Sequence, residues 1–278
     1  MPGVDELYIL ARRVLLDALV ALGPHREALV LVGAQAVYLH VGEADLAVAP
    51  YTTDGDLVIN PELLATIPPL EESLRNAGFR PRGSDSIGIW VGTPAGVKST
   101  APEVTIDLLV PFAVNPGKGR RAARLQGHAQ RAARATRGLE GALVDLAPMT
   151  ITALDPADGR RFDLNVAGTA ALVTAKVHKI QDRAGGRRAQ DKDALDILRL
   201  LRGTTTEGLA ERFRLLLADE RSAEVAREAL TLLHAQFVER PRIGIAMTLS
   251  AVGALADHAE IEASCEALAS DLLRALQL

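Results

Sequence analysis

Residues 52–59 read Thr-Thr-Asp-Gly-Asp-Leu-Val-Ile, with two aspartates separated by one residue directly before a short apolar run. Because side chains alternate along a strand, Asp54 and Asp56 lie on one face, about 7 Å apart along the backbone. Two such carboxylates can converge on one ion, and Mg²⁺ is usually held by one or two carboxylates plus substrate phosphates. The stretch therefore indicates phosphoryl or nucleotidyl transfer, and an Asp-Gly tight turn is the structural alternative.

A third carboxylate, Asp107, interrupts the apolar run 104–110. Burying such a charge is costly unless it is paired or meets a metal. If this strand lies beside the Asp54–Asp56 strand, three carboxylates share one site. A solvent-facing aspartate on an edge strand is the alternative.

A strand, a small-residue turn and a helix precede these aspartates. The apolar residues 28–32 end at Gly33, and residues 34–41 have the pattern of a helix. Small residues let phosphates approach the backbone, and a helix N-terminus favours negative charge. Gly33 and Ala34 are therefore candidate phosphate contacts, although many α/β proteins use such a turn for packing alone.

The hydrophobic pattern predicts an α/β domain over residues 1–167 and a helical domain over residues 168–278. The first domain begins with an amphipathic helix at 7–22 and contains a second at 68–77. Its strands are expected at 28–32, 57–60, 87–91, 104–110, 148–153 and 161–166. Beyond Gly168 the pattern is helical, at 169–184, 190–202, 206–218, 221–238 and near 258–276.

The helical half carries a basic stripe and two acidic residues. Lys176, Lys179 and Arg183 recur on one face of the helix at 169–184, while Asp193 and Asp196 lie three residues apart on the next helix. Lys176 is a candidate to hold a triphosphate. The alternative is a salt-bridged helix pair that covers the core.

Charge is distributed unevenly along the chain. The net charge is -4 and the pI about 5.9, yet residues 118–137 contain seven cations and no acidic residue. Such a segment attracts a polyanion, or it balances acidic neighbours. We predict RNA contacts from five of these cations: Arg120, Arg121, Arg124, Arg131 and Arg134.

Composition excludes several classes of protein. With 48% hydrophobic and 24% charged residues, a chain of 278 residues is not intrinsically disordered. One cysteine and six scattered histidines exclude a zinc-finger or iron-sulfur framework. Because no apolar run reaches about 18 residues and the N-terminal residues are acidic, we expect a soluble cytoplasmic protein with no membrane partner.

In their order along the chain, these motifs resemble those of the nucleotidyltransferase (polymerase beta-like) superfamily. The segments 175–183 and 192–197 more narrowly resemble the AbiEii-type nucleotidyltransferases, toxins of type IV toxin-antitoxin systems that include mycobacterial tRNA-modifying toxins. The resemblance covers roughly residues 28–202. This sequence departs from the family in two ways. It has Gly33-Ala34 where Gly-Gly or Gly-Ser is usual, and the interval from Gly33 to Asp54 is longer than in minimal members.

The resemblance implies a mixed-sheet nucleotidyltransferase domain followed by helices, and an activity that depends on Mg²⁺. Nucleoside monophosphate would pass from an NTP to the 3′ end of a tRNA, which blocks translation, and a cognate antitoxin would be the protein partner. The implied metal ligands are Asp54, Asp56 and Asp107. The implied nucleotide contacts are Gly33, Ala34, Thr53 and Lys176, with Asp193 as a further essential carboxylate.

Two other functions fit the same residues. A small-molecule nucleotidyltransferase, such as an antibiotic-modifying enzyme, shares the Asp-x-Asp core, but a cationic drug requires an acidic cleft and the basic segment argues against it. A catalytically silent binding protein is the second alternative. The intact set of Asp54, Asp56, Lys176 and Asp193 disfavours that function. Either Asp107 or Asp193 is a candidate to accept the proton of the attacking hydroxyl.

Overall fold

A computed structural model describes residues 6–42, 51–93, 102–115, 121–183 and 191–277. The chain divides into two compact units. The first unit contains the described residues within Met1–Ala36, Ala49–Thr136 and Leu146–Val166. The second contains those within Val37–Val48, Arg137–Asp145 and Ala167–Leu278, so it includes two stretches that the sequence pattern assigned to the first domain.

The described residues of the first unit form a mixed sheet of eight strands. The order is β3-β4-β5-β2-β1-β8-β7, and β6 pairs with β5 beside β4. The strand β1 is antiparallel to β2 and parallel to β8, while β2 is parallel to β5. The strands are β1 (Leu29–Val32), β2 (Asp54–Ile59), β3 (Arg80–Pro81), β4 (Ile89–Gly92), β5 (Val104–Pro111), β6 (Arg134–Thr136), β7 (Leu146–Thr152) and β8 (Arg161–Ala167).

One face of this sheet is covered by α1 (Glu6–Ala21), whose apolar stripe is fully buried and packs on β2 and β5. Gly55 lies beneath the helix, since a Cβ built on it would lie 3.3 Å from Leu15 Cδ1 and 2.9 Å from Ile106 Cδ1. Strand alternation then directs Asp54 and Asp56 to the opposite face. Two more helices lie in this part of the chain. The helix α2 (Gly33–Val41) begins directly after β1, and α3 (Leu70–Asn76) precedes β3.

The second unit is helical, and no strand follows Ala167 among the residues that the structure describes. The helix α4 packs on α5, α6 and α7 around a core that includes Phe213 and Phe237. Its helices are α4 (Thr169–Arg183), α5 (Asp191–Gly203), α6 (Thr206–Ala218), α7 (Ala223–Phe237), α8 (Ile243–Val252) and α9 (His258–Ala275). The predicted fold class, a mixed α/β sheet followed by helices, is confirmed.

Within the described ranges, none of the helices is long and apolar enough to span a lipid bilayer.

Candidate active site

Asp54 and Asp56 both belong to β2, which begins at Asp54 rather than at the predicted Leu57. Both side chains are half-exposed, whereas Gly55 between them is buried under α1. The turn alternative for this stretch is therefore wrong. Two carboxylates on one strand face, both open to solvent, are a geometry in which a divalent cation can be held.

Asp107 lies on the neighbouring strand, directly beside Asp56. The two residues are register partners in the parallel pair of β2 and β5, so their side chains share one face at a strand spacing of about 4.8 Å. Because β5 has neighbours on both sides, the edge-strand alternative for Asp107 is also wrong. The aspartate is buried, with Arg134 Nη2 donating to its Oδ2 at 2.6 Å. The buried charge of Asp107 is therefore balanced by Arg134.

The three carboxylates do not form a ready metal cage. Within the described ranges, no group of three acidic, histidine or cysteine side chains is arranged to hold a metal ion. Of the predicted ligands, Asp54 and Asp56 are half-exposed, whereas Asp107 is buried and paired with Arg134. Two carboxylates still suffice for Mg²⁺ when water and substrate phosphates supply the other ligands.

Gly33 brings the start of α2 against the Asp56 carboxylate. It has a φ of +73°, and a Cβ built on it would lie 2.0 Å from Asp56 Oδ2. Only glycine accommodates both the backbone conformation and this approach. The first N–H groups of a helix lack partners within the helix and attract anions, so phosphate and carboxylates can meet here. Ala34 is buried, and Thr53 is half-exposed beside Asp54.

In the second unit, Lys176 is buried between two carboxylates. Its Nζ donates to Asp193 Oδ1 at 2.8 Å and to Asp196 Oδ2 at 2.6 Å. Burial alone would lower the pKa of Lys176, but the two aspartates outweigh it and raise that pKa. Burial would likewise raise the pKa of Asp193, yet Lys176 and Lys179 hold it below its ordinary value. The ion pair of the predicted helix pair is therefore present and fully charged.

The accessible cations of this cluster are Lys179 and Arg183. Their side chains are 30% and 29% exposed, compared with 4% for Lys176, and their nitrogens lie 3.2 and 3.3 Å from Asp193 oxygens. Arg199 pairs with Asp196 at 3.0 Å, so the cluster holds four cations and two carboxylates. Its surplus positive charge faces solvent at Lys179 and Arg183. An anion that approaches this unit meets these two side chains, and not Lys176, which was the predicted triphosphate contact.

Comparisons with known proteins were made for the whole chain. The chain is similar to a crystal structure of an antigenic nucleotidyltransferase-like protein from Paracoccidioides brasiliensis, with a TM-score of 0.46 and 16% sequence identity. The similarity covers 87% of this chain and 96% of that one. No protein-family model matches the sequence, and no curated protein matches it significantly.

The arginines predicted to contact RNA differ in how many contacts they make with other residues of the protein. Arg120 and Lys118 of the basic segment lie outside the described residues. Arg134 is bound to Asp107, whereas Arg121 and Arg124 are exposed and form no ion pair with any described residue. Arg131 makes one contact and donates to Ser86 O at 3.1 Å, whereas Arg137, the last cation of the basic segment, pairs with both Glu224 and Glu228.

A buried arginine supports β2 from beneath, and the sequence pattern did not indicate it. Arg12 of α1 is 2% exposed, and its Nε donates to Gln35 Oε1 at 2.8 Å. Gln35 Nε2 in turn donates to the backbone oxygen of Asp54 at 3.0 Å. Burial lowers the pKa of Arg12, and the nearby Tyr8 opposes this shift. The one available signal was an arginine on the apolar stripe of an amphipathic helix, one turn after Tyr8.

Proposed function

We propose that this chain is a Mg²⁺-dependent nucleotidyltransferase that transfers nucleoside monophosphate from an NTP to the 3′ end of a tRNA. One observation carries the proposal: Asp54 and Asp56 are half-exposed on one strand face, against the start of α2 at Gly33. Carboxylates that hold a cation and a helix N-terminus that receives phosphate are the two elements that nucleotidyl transfer needs.

The donor set of this site fits magnesium. Asp54 and Asp56 offer hard oxygen ligands, and both side chains are open to solvent, so water and phosphate oxygens can complete the coordination. When bound, Mg²⁺ neutralises the charge that develops on the reacting phosphates. The chain's own part is to orient the two carboxylates, and Gln35 contributes by fixing the backbone of Asp54.

Of the two candidate proton acceptors, position favours Asp107. Asp193 belongs to the second unit, and its carboxylate is already paired with Lys176, Lys179 and Arg183. Asp107 is the register partner of Asp56, so it belongs to the same strand face as the two predicted metal ligands. Arg134 holds the Asp107 carboxylate in place through an ion pair of 2.6 Å.

A tRNA acceptor is supported by the exposed arginines and by the resemblance to AbiEii-type toxins. Arg121, Arg124 and Arg131 lie within eleven residues on one segment of the first unit and are all exposed. Arginines of this kind contact nucleic-acid phosphates without reading sequence. The proposal therefore includes a toxic block of translation in the cytoplasm, where tRNA is charged, and control by a cognate antitoxin.

The deciding experiment is transfer of α-labelled ATP, CTP, GTP and UTP onto total bacterial tRNA with Mg²⁺. We expect label on tRNA from the wild type and a loss of at least about 100-fold in Asp56→Asn, since removing a metal ligand forfeits several kcal/mol. Asp163→Asn, an exposed aspartate on β8 of the same sheet, is the matched control and should keep the activity.

Label that appears only in small molecules would replace the tRNA acceptor with a small-molecule acceptor. If no transfer occurs at all, calorimetric titration of Mg²⁺ and each nucleotide distinguishes the remaining functions. A folded protein without metal-dependent nucleotide affinity would be a binding protein, and the proposal would be wrong.

A further inference from the structure

A cleft of about 490 Å³ lies in the first unit, beside the sheet edge formed by β3 and β4. Its volume falls in the range of sites for single small molecules or nucleotides. Three parts of the chain form its walls: α3, the connection between β3 and β4, and the segment just before β6. The polar lining residues are Glu71, Arg75, Ser84, Ser86 and Arg131.

Two arginines in this cleft have donors to spare. Arg75 is exposed, lies 5.8 Å above the Trp90 ring, and has no ion pair with any described residue. Arg131 is exposed and gives one N–H to Ser86 O at 3.1 Å. A guanidinium carries five N–H donors in a fork that fits phosphate oxygens. Most of the donors on both side chains are therefore available to a ligand.

The walls of the cleft are fixed by hydrogen bonds before any ligand arrives. Trp90 is 3% exposed, and its Nε1 donates to Ala132 O at 3.0 Å. Glu71 is the acidic residue of the lining, and its Oε2 accepts the backbone N–H of Ala129 at 3.0 Å. The backbone around the cleft therefore does not have to be ordered on binding, and the ordering cost is confined to the two arginine side chains.

The cleft lies at the edge of the sheet, two strands away from β2. Its Trp90 wall pairs with Ile106 and belongs to the face that α1 covers, whereas Asp54 and Asp56 belong to the opposite face. Ile89 of its lining is the register partner of Asp107, which is the partner of Asp56. Two strand spacings thus separate Ile89 from Asp56, or about 10 Å. Measured along the sheet, this distance corresponds to about three nucleotide steps, and an RNA strand that reaches both places must pass around the edge formed by β3 and β4.

The exposed arginines of the basic segment extend the same surface. Residues 121–123 pair with residues 133–135 through the hydrogen bonds from Ala135 N to Arg121 O and from Ala123 N to Ala133 O. Arg121 therefore lies on the stretch 121–123, which runs beside the stretch 133–135 that follows Arg131. Arg121 and Arg131 are thus carried by two paired arms of one segment, and both are exposed.

We propose that this cleft binds a backbone phosphate of the acceptor RNA, with Arg75 and Arg131 as its ligands, a few nucleotides from the reacting 3′ end. Two guanidinium groups with free donors form strong, charge-assisted hydrogen bonds to phosphate. The identity of the RNA as acceptor rests on the proposed function. The phosphate site itself depends only on the cleft.

The test is equilibrium binding of tRNA, and separately of NTP with Mg²⁺, to the full chain at several salt concentrations. We expect Arg75→Ala with Arg131→Ala to weaken tRNA binding by tenfold or more and to lower the salt slope by about two, leaving NTP affinity unchanged. Arg75→Lys with Arg131→Lys keeps the charge and should recover only part of the loss. Arg161→Ala, an exposed arginine of β8 in the same unit, is the control and should change neither.

Three results would overturn the site: unchanged tRNA affinity, loss of NTP affinity in place of tRNA affinity, or a wild type that binds no tRNA. Far-ultraviolet circular dichroism reports whether each variant is folded, since Arg75 lies over the Trp90 ring and its replacement changes the emission of that tryptophan directly. The outcome is independent of the transfer assay. Binding can therefore fail while Asp56-dependent transfer to a small molecule persists, and transfer can fail while the phosphate site holds.

Discussion

The absence of one Cβ determines how α2 meets the carboxylates. Gly33 has a positive φ, and a methyl group there would overlap Asp56 Oδ2. We predict that Gly33→Ala lowers the free energy of unfolding by about 3 kcal/mol, of which the left-handed backbone accounts for 1–2 kcal/mol. Metal-dependent nucleotide affinity should fall with it, because the Asp56 carboxylate must move. Urea unfolding and calorimetry measure the two effects.

Gly78→Ala separates the two causes of this loss. Gly78 also has a positive φ, +85°, but nothing lies within 4 Å of a Cβ built on it. The Gly78→Ala variant should lose only the backbone contribution to the free energy of unfolding, and its nucleotide affinity should be unchanged. Equal losses in the two variants would mean that the contact with Asp56 has no energetic consequence.

The environment of Asp107 was predictable from the sequence only in part. Its position inside an apolar run correctly predicted a buried charge that requires a partner. The sequence could not choose between a metal and Arg134, since the arginine is 27 residues away and both partners satisfy the same chemistry. Only the parallel pairing of β5 with β6 brings the two residues together.

At the scale of elements, α4 and α5 are joined by the buried Lys176 cluster. We predict that Lys176→Met lowers the free energy of unfolding by about 3–5 kcal/mol, because Asp193 and Asp196 would keep buried charges with fewer partners. Lys179→Met should lose less than about 1 kcal/mol, since its ammonium is partly solvated. Denaturant unfolding of both variants compares them. Similar losses would contradict the assignment of Lys176 as the structural member of the cluster.

The same cluster predicts sensitivity to acid. The pKa of Asp193 is lower in the folded chain than its ordinary value of 3.8, so its ionisation stabilises the fold above pH 3.8. That contribution is lost as the pH falls below 3.8, because the unfolded chain then binds a proton that the folded chain does not. Thermal unfolding followed by circular dichroism between pH 5 and pH 2 should show the decline. Asp193→Asn should start from a lower stability and decline less over this range.

Helical elements were easier to predict than the short strands. The helices α4 to α7 and α9 have apolar residues at the helical period, and the structure confirms them. The helix α8 was missed because Ile243–Val252 is apolar nearly all round and shows no period. The strands β3 and β6 have only two and three residues, too short for any alternation, and exist because β4 and β5 pair with them. Asp54–Asp56 became strand for the same reason, through pairing with β5.

For the whole molecule, one cysteine provides a test in alkali. Burial raises the pKa of Cys265 to about 11, against an ordinary value of 9.0. Between these values the unfolded chain loses a proton that the folded chain keeps, so stability falls as the pH rises from 9.0 to 11, by up to about 3 kcal/mol. Denaturant midpoints across this range should show the fall, and the fall should be smaller in Cys265→Ala by the contribution of the thiol. Parallel curves for the two proteins would contradict a buried thiol.

The division into two units could be predicted only in outline from the sequence. The change from strands to helices after Gly168 is visible in the hydrophobic period. The assignment of residues 37–42 and 137–145 to the second unit is not, because it depends on tertiary contacts. His40 Nε2 bonds Ala167 O at 2.8 Å, and Val41 lies against Gly203. Neither partner can be read from the local pattern around His40.

The pairing of β1 with β8 has a consequence for synthesis on the ribosome. Val30 pairs with Asn165, so β1 is translated long before its parallel neighbour exists. At 5–20 residues per second, the interval is on the order of ten seconds. Throughout that time the nascent chain carries β1 with one edge open, and an open strand edge is a template for pairing with other chains. A chaperone that covers this edge during the interval should therefore raise the yield of folded protein.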